Sequence, residues 1–167
     1  MYKKIIAFVV ALAAILSLAA CSSTDSTDDT KTNDSSKKTS FTVGESYTED
    51  GRTITLTSVN TNFTEYSEYA KEEIPEGSKV IQATFDFAND GDSDFLADAY
   101  SFSCFADNES CNSFYYTDDS GFSDTLSSGK KATGRNVYFV VPESAQSIVL
   151  EYETDWLTST RIEFVVQ

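Results

Sequence analysis

From Phe41 onward, apolar side chains recur at every second position, and that period constrains the fold more than any other feature of the chain. Ile54 and Leu56 alternate with Thr53, Thr55 and Thr57, and Ile81, Ala83, Phe85 and Phe87 alternate with Gln82, Thr84 and Asp86. The pattern returns in Val137, Phe139 and Val141, in Ile148, Leu150 and Tyr152, and in Ile162, Phe164 and Val166. Successive side chains of a strand point to opposite faces, so each run offers one face to a core and one to solvent. Turn-forming clusters separate the runs: Glu49-Asp50-Gly51, Pro75-Glu76-Gly77, Asn89-Asp90-Gly91-Asp92, Ser128-Gly129 and Pro142-Glu143-Ser144. Seven or eight short strands so spaced predict an all-β, antiparallel β-sandwich over residues 41–167, the size of one domain. One helical turn is expected within Glu65–Glu73, where Tyr66, Tyr69 and Ala70 sit at helical spacing.

The first 40 residues follow other rules. Lys3 and Lys4 precede the apolar run Ile5–Leu16, which ends in small residues, so Met1–Ala20 has the pattern of an export signal. The run falls short of the about 20 residues a membrane-spanning helix needs. At its end, Leu18-Ala19-Ala20-Cys21 resembles the lipobox of bacterial lipoproteins. That resemblance implies that Cys21 becomes the first mature residue and that acyl chains of the palmitate type on it hold the protein to the extracytoplasmic face of the cell membrane. Each methylene buried in the bilayer contributes about 0.8 kcal/mol. The alternative is an ordinary signal cut after Ala20, leaving a free thiol. With Cys21, the segment 21–40 forms a linker: Ser22–Ser40 contains no apolar residue and cannot offset the entropy of ordering. Its root-mean-square span is roughly 22 to 26 Å and its extended reach about 60 Å.

Composition excludes whole classes of chemistry. The chain has no histidine, which removes Ser-His and Cys-His nucleophile pairs and imidazole metal sites. Lys and Arg number 12 against 27 Asp and Glu, a net charge of −15, so no basic face exists to neutralise nucleic-acid phosphates. From residue 41 onward the imbalance is 23 acids to 7 bases, which repels anionic lipid. No carboxylate pair is set apart by an apolar pocket signature, so the chain reads as a non-enzyme.

Three groups of residues remain as candidate sites. With Cys21 taken by lipid, Cys104 and Cys111 are an even pair in an exported chain. Any even-length hairpin loop centred on Asp107-Asn108 sets the two directly opposite, within the Cα separation a disulfide accepts. Asp90, Asp92 and Asp94, with Asp86, Asn89 and Asp98 nearby, gather oxygen ligands in one turn, as calcium requires. The turn fails the EF-hand template, since Phe95 stands at the loop glycine and Ser101 at the bidentate glutamate, and a solvated acidic connection explains it as simply. Tyr66, Tyr69, Tyr115 and Tyr116 flank polar loops, where their rings offer platforms to a partner; Trp156 is a further aromatic of this kind. Aromatics on strands more often belong to a core or to cross-strand pairs.

The order of these features resembles a known family. Gly51–Val59, Pro75-Glu76-Gly77-Ser78-Lys79-Val80 and Phe85-Asp86-Phe87-Ala88-Asn89-Asp90-Gly91 are similar to the DUF4352 lipoproteins. So are Leu126-Ser127-Ser128-Gly129, Gly134, Val137–Pro142 and Ile148–Tyr152, with Ser128 where the family usually has proline. The resemblance covers nearly all of residues 44–167 and implies an immunoglobulin-like, telokin-like sandwich with no catalytic residues to carry over. The expectation is a lipid-anchored, non-catalytic surface module with no cofactor, binding an extracellular protein or an envelope polymer. The alternative is a calcium-dependent carbohydrate- or envelope-binding module built on the acidic turn 86–98.

Overall fold

A computed structural model describes residues 38–155 and 160–167. The signal segment, Cys21, nearly all of the linker and Trp156 lie outside the described residues. Among those described, eleven strands and one short helix follow in order: β1 (Ser40–Phe41), β2 (Ser46–Glu49), β3 (Arg52–Phe63), α1 (Glu68–Lys71), β4 (Ser78–Asn89), β5 (Phe95–Asp98), β6 (Phe102–Ala106), β7 (Glu109–Ser113), β8 (Ser123–Leu126), β9 (Lys130–Pro142), β10 (Ile148–Asp155) and β11 (Thr160–Val165). The count exceeds the seven or eight read from alternation because β1, β2, β5, β7 and β8 are only two to five residues long. Runs that short carry too few buried positions to show a period.

Nine strands run in the order β1-β11-β10-β6-β7-β9-β4-β3-β2. The row folds on itself at β7, which pairs Cys104, Phe105 and Ala106 of β6 through Cys111, Ser110 and Glu109, then pairs β9 through Asn112 and Ser113. One layer is therefore β1-β11-β10-β6 and the other β2-β3-β4-β9, with β7 shared at the corner. At the open side the two edge strands meet, where the Phe41 ring lies 5.8 Å from Tyr47. The ladders are antiparallel except β1–β11. Together they make an immunoglobulin-like β-sandwich.

The alternating residues fill the space between the layers. Ile54, Leu56, Ile81, Phe85, Phe87, Phe139, Leu150 and Phe164 are at most 2% exposed. Phe85 of β4 reaches across the sandwich to Phe164 at 5.0 Å and Phe102 at 4.6 Å between ring centroids. The two-stranded sheet β5–β8 adds Phe95, Ala97 and Leu126 to this core.

The hairpin turns obey the sequence. Asp50-Gly51 joins β2 to β3 with φ of 49° and 75°, and Asp107-Asn108 joins β6 to β7 with φ of 50° and 68°. Two successive positive φ values twist a two-residue hairpin in the sense its strands require, and Asp, Asn and Gly tolerate them best. The helical turn forms as Glu68–Lys71, where the Ser67 hydroxyl accepts a hydrogen bond from the Ala70 N–H.

Candidate functional site: an aromatic row above a polar sheet face

The outward side of the β3-β4-β9 layer is built in rows by register. Phe63 faces Val80, and Gln82 lies between Asn60 and Tyr138. Ala70 from α1 and Phe114 from the segment after β7 close over Phe63, Val80 and Tyr138, making a second, smaller core on the outside of the sandwich. Tyr66 joins this roof, half-buried, its ring 6.1 Å from Phe63 and 5.4 Å from Phe114. Of the four tyrosines named from sequence, Tyr66 is thus a packing residue.

The other three project. Phe114 is 1% exposed and fastened by its N–H to the Tyr138 carbonyl, and this forces the two residues after it outward. Tyr115 and Tyr116 are 46% and 45% exposed, and Tyr69 is 70% exposed. Tyr116 packs against Phe114 at 5.3 Å. Loss of solvent contact raises the Tyr116 hydroxyl pKa, helped by the Glu73 carboxylate that accepts its hydrogen bond and by nearby Tyr69. Tyr115 pairs with Tyr100, centroids 5.5 Å apart.

Tyr100, absent from the group singled out by sequence, completes the row. The Asp98 carboxylate caps the 3-10 turn Ala99–Ser101 by accepting from the Tyr100 N–H at 2.7 Å, which buries Ala99 and turns the tyrosine out. An Asp two residues before a tyrosine that follows a strand is the signal that finds it. Tyr100 also walls an open cleft of about 460 Å³ with Phe95, Tyr152 and Arg52. The Arg52 guanidinium lies over the Phe95 ring and donates to the Ser93 hydroxyl at 2.9 Å.

A polar network joins β4 and β9 to Asp119. The Asp119 carboxylate accepts from the Tyr138 hydroxyl at 2.7 Å and from the Asn136 amide, while Gln82 donates to the Tyr138 oxygen and Thr84 donates to Asn136. Burial opposes ionisation of Asp119, but the hydrogen bonds from Asn136, Tyr138 and Thr117 prevail and hold it below the usual carboxylate range. Tyr138 is pushed up to about 12, first by burial and then by Asp119.

The acidic turn is organised otherwise than calcium would need. Asn89, fully buried, donates to the Ser93 carbonyl at 2.9 Å and the Leu126 carbonyl at 2.7 Å and accepts from the Gly91 N–H at 3.1 Å. The turn is therefore folded around a neutral amide. Among the described residues no three acidic or cysteine side chains converge to hold a cation, so Asp90, Asp92 and Asp94 are not brought together. The Asp98 oxygens are taken by the Tyr100 N–H and the Ser123 hydroxyl.

Cys104 and Cys111 stand directly opposite in the β6–β7 ladder, as the Asp107-Asn108 loop requires, and both are thiols in the structure. Burial raises the Cys104 pKa, with Cys111 adding to the effect.

A two-layer antiparallel sandwich of this strand order belongs to the class of immunoglobulin-like β-sandwich modules. The sequence profile of DUF4352, a domain of unknown function, matches residues 41–162, and the chain belongs to that family. Three solved structures share the fold. The Bacillus subtilis protein ycdA, described as a lipoprotein, superposes with a TM-score of 0.61 at 16% identity over 78% of this chain and 39% of its own, so this chain spans about two fifths of its length. The secreted Mycobacterium tuberculosis protein MPT63 gives 0.56 at 13% identity over 80% of this chain and 99% of its own. The Bacillus subtilis yjhA protein gives 0.54 at 17% identity over 76% and 99%. No curated protein matches the sequence. No helix among the described residues is long and apolar enough to cross a membrane.

Proposed function

We propose that this protein is held to the outer side of a bacterial cell membrane by lipid on Cys21 and that its domain binds an envelope or extracellular partner without transforming it. The observation that carries the binding reading is the exposure of Tyr100, Tyr115, Tyr116 and Tyr69, with Tyr100 against Tyr115 and Tyr116 against the buried Phe114. Exposing four large rings in adjacent pairs gives up burial, and rigid aromatics so placed are the usual anchors of interfaces. The Leu18–Cys21 motif supports the anchor, and the fold shared with the lipoprotein ycdA agrees with it.

Two measurements test this. Cys21→Ser should move the protein from the membrane fraction to the soluble one; unchanged membrane association refutes the lipid anchor. The same full-length variant should be retained by lipid-extracted cell envelope. Retention should fall about tenfold in Tyr100→Ala/Tyr115→Ala or in Tyr69→Ala/Tyr116→Ala. Equal retention without the rings refutes the aromatic row as the contact. No observation favours the calcium-dependent alternative, whose carboxylates stay apart.

A further inference from the structure

The two outer faces of the sandwich differ in charge. On the β10–β11 face, Glu151 stands opposite Glu163 and Glu153 opposite Arg161, and Arg161 pairs with both Glu151 and Glu153. The opposite face, from β2 to β9, carries hydroxyls and amides. Residues 53–64 contain no charged side chain in a chain with 27 acids and 12 bases. Register sets Thr48 beside Thr53 and Ser46 beside Thr55, with Ser58, Thr84 and Asn136 in the next row. These groups are ordered by one another: Thr48 with Thr53 at 3.0 Å, Ser46 with Thr55 at 2.7 Å, and Thr84 with Asn136 at 2.8 Å. Carboxylates also reach this side: Asp86, beside Thr55 in the register, accepts from the Gly134 N–H at 2.8 Å, Asp119 accepts from Asn136 and Tyr138, and Glu73 accepts from Tyr116 at the aromatic end. Lys131 stands beside Ala88 at the far end. At the near end the roof over Phe63, Val80 and Tyr138 bears the exposed rings of Tyr69 and Tyr116.

Such a floor, rich in hydroxyls and amides, suits a ligand that is itself rich in hydroxyls. A hydroxyl pair joined by one hydrogen bond keeps a free proton and several lone pairs, so it both donates and accepts, as sugar hydroxyls do. Carboxylates only accept and ammonium groups only donate. The aromatic rings at the end offer flat apolar faces to the C–H side of a sugar ring. An anionic polymer would meet the domain's excess of acids, whereas a sugar hydroxyl can donate to the acceptor sites that Asp86 keeps beside its one bond to Gly134. We infer that this face, with Tyr69 and Tyr116 at its end, binds an uncharged glycan strand of the cell's own envelope. The assignment rests on the binding reading above, and the linker's extended reach of about 60 Å keeps the domain beside that envelope.

The test is co-sedimentation of the full chain, in detergent micelles, with chitin and with wall glycan stripped of its anionic polymers. Chitin is an insoluble, uncharged polymer of N-acetylglucosamine. Both should retain the protein, equally at low and high salt, since no ion pair is involved. Tyr69→Ala/Tyr116→Ala should reduce retention about tenfold, and Thr53→Val/Thr55→Val, which keeps strand shape and removes hydroxyls, should reduce it severalfold. Glu163→Gln on the opposite face should change nothing, and all variants should melt with the parent because the altered groups are surface ones. Retention that vanishes in high salt, or that survives loss of the rings or hydroxyls, overturns the inference. Failure on both glycans, with the rings still needed for retention on whole lipid-extracted envelope, overturns the glycan assignment and leaves the binding reading standing.

Discussion

At the scale of single residues, Asn89 does more than any carboxylate around it. Its amide closes three hydrogen bonds that tie the β4–β5 turn to the end of β8, out of contact with water. Removing one partner of a buried bond leaves the other with its desolvation cost. Asn89→Ala should therefore lower stability by about 2 to 4 kcal/mol in urea unfolding. Sequence reading saw the Asn-Asp-Gly-Asp turn and its oxygens, but nothing local says that the amide turns inward while the acids turn out. The cysteine pair was legible, because loop parity alone fixes which residues oppose. Passing two electrons to a disulfide oxidant of the export compartment, with release of two protons, would join Cys104 Sγ to Cys111 Sγ. Exported protein should then be lighter by two hydrogens than its reduced form in intact-mass measurement, and reduction should cost about 2.5 kcal/mol by loop entropy. Two free thiols in exported protein would rule the bridge out.

At the scale of elements, the long strands β3, β4, β9, β10 and β11 were visible as alternation because each buries a full inner face. The short ones were not, since β5 and β8 are recognised only by pairing with each other. The roof of α1 and Phe114 was partly legible: helical spacing marked Tyr66 and Tyr69, but only the register of β3, β4 and β9 shows that outward Phe63, Val80 and Tyr138 need covering. The β2–β3 turn carries a further constraint. Gly51 has φ of +75°, and a Cβ there would lie 2.5 Å from the Gly91 nitrogen. Two turns from different parts of the chain are thus pressed backbone to backbone, with the Asp90 N–H donating to the Gly51 carbonyl at 2.8 Å. Gly51→Ala should destabilise by more than about 2 kcal/mol in the same unfolding measurement, combining a left-handed side chain with a backbone clash.

At the scale of the whole molecule, the chain's titration behaviour is set by its tyrosines at the alkaline end. Burial raises Tyr47 and Tyr138 from 10.0 to about 12, with Glu49 and Asp119 respectively adding to the effect. Burial raises Tyr152 as well, with Asp98 contributing. The folded state thus holds these phenols neutral more strongly than the unfolded chain does. Their contribution is complete below pH 10.0 and is lost as pH rises through about 12. Loss of the β signal in circular dichroism should accompany tyrosinate absorbance from Tyr47 and Tyr138 as pH passes about 12. Melting temperature should be the same in calcium and in chelator, because no three acidic side chains converge among the described residues; a saturable rise would refute that.

The chain enters the sandwich at Thr39, whose carbonyl accepts from the Glu163 N–H, and β1 is held by two residues alongside β11 with Phe41 plugged into the core. A pull arriving through residue 38 loads that edge before any other part. Peeling two residues and one ring would release slack without opening the eight-strand remainder. Under the proposed anchoring and binding, shear would lengthen the tether by this short strand before it loaded the rest of the sandwich.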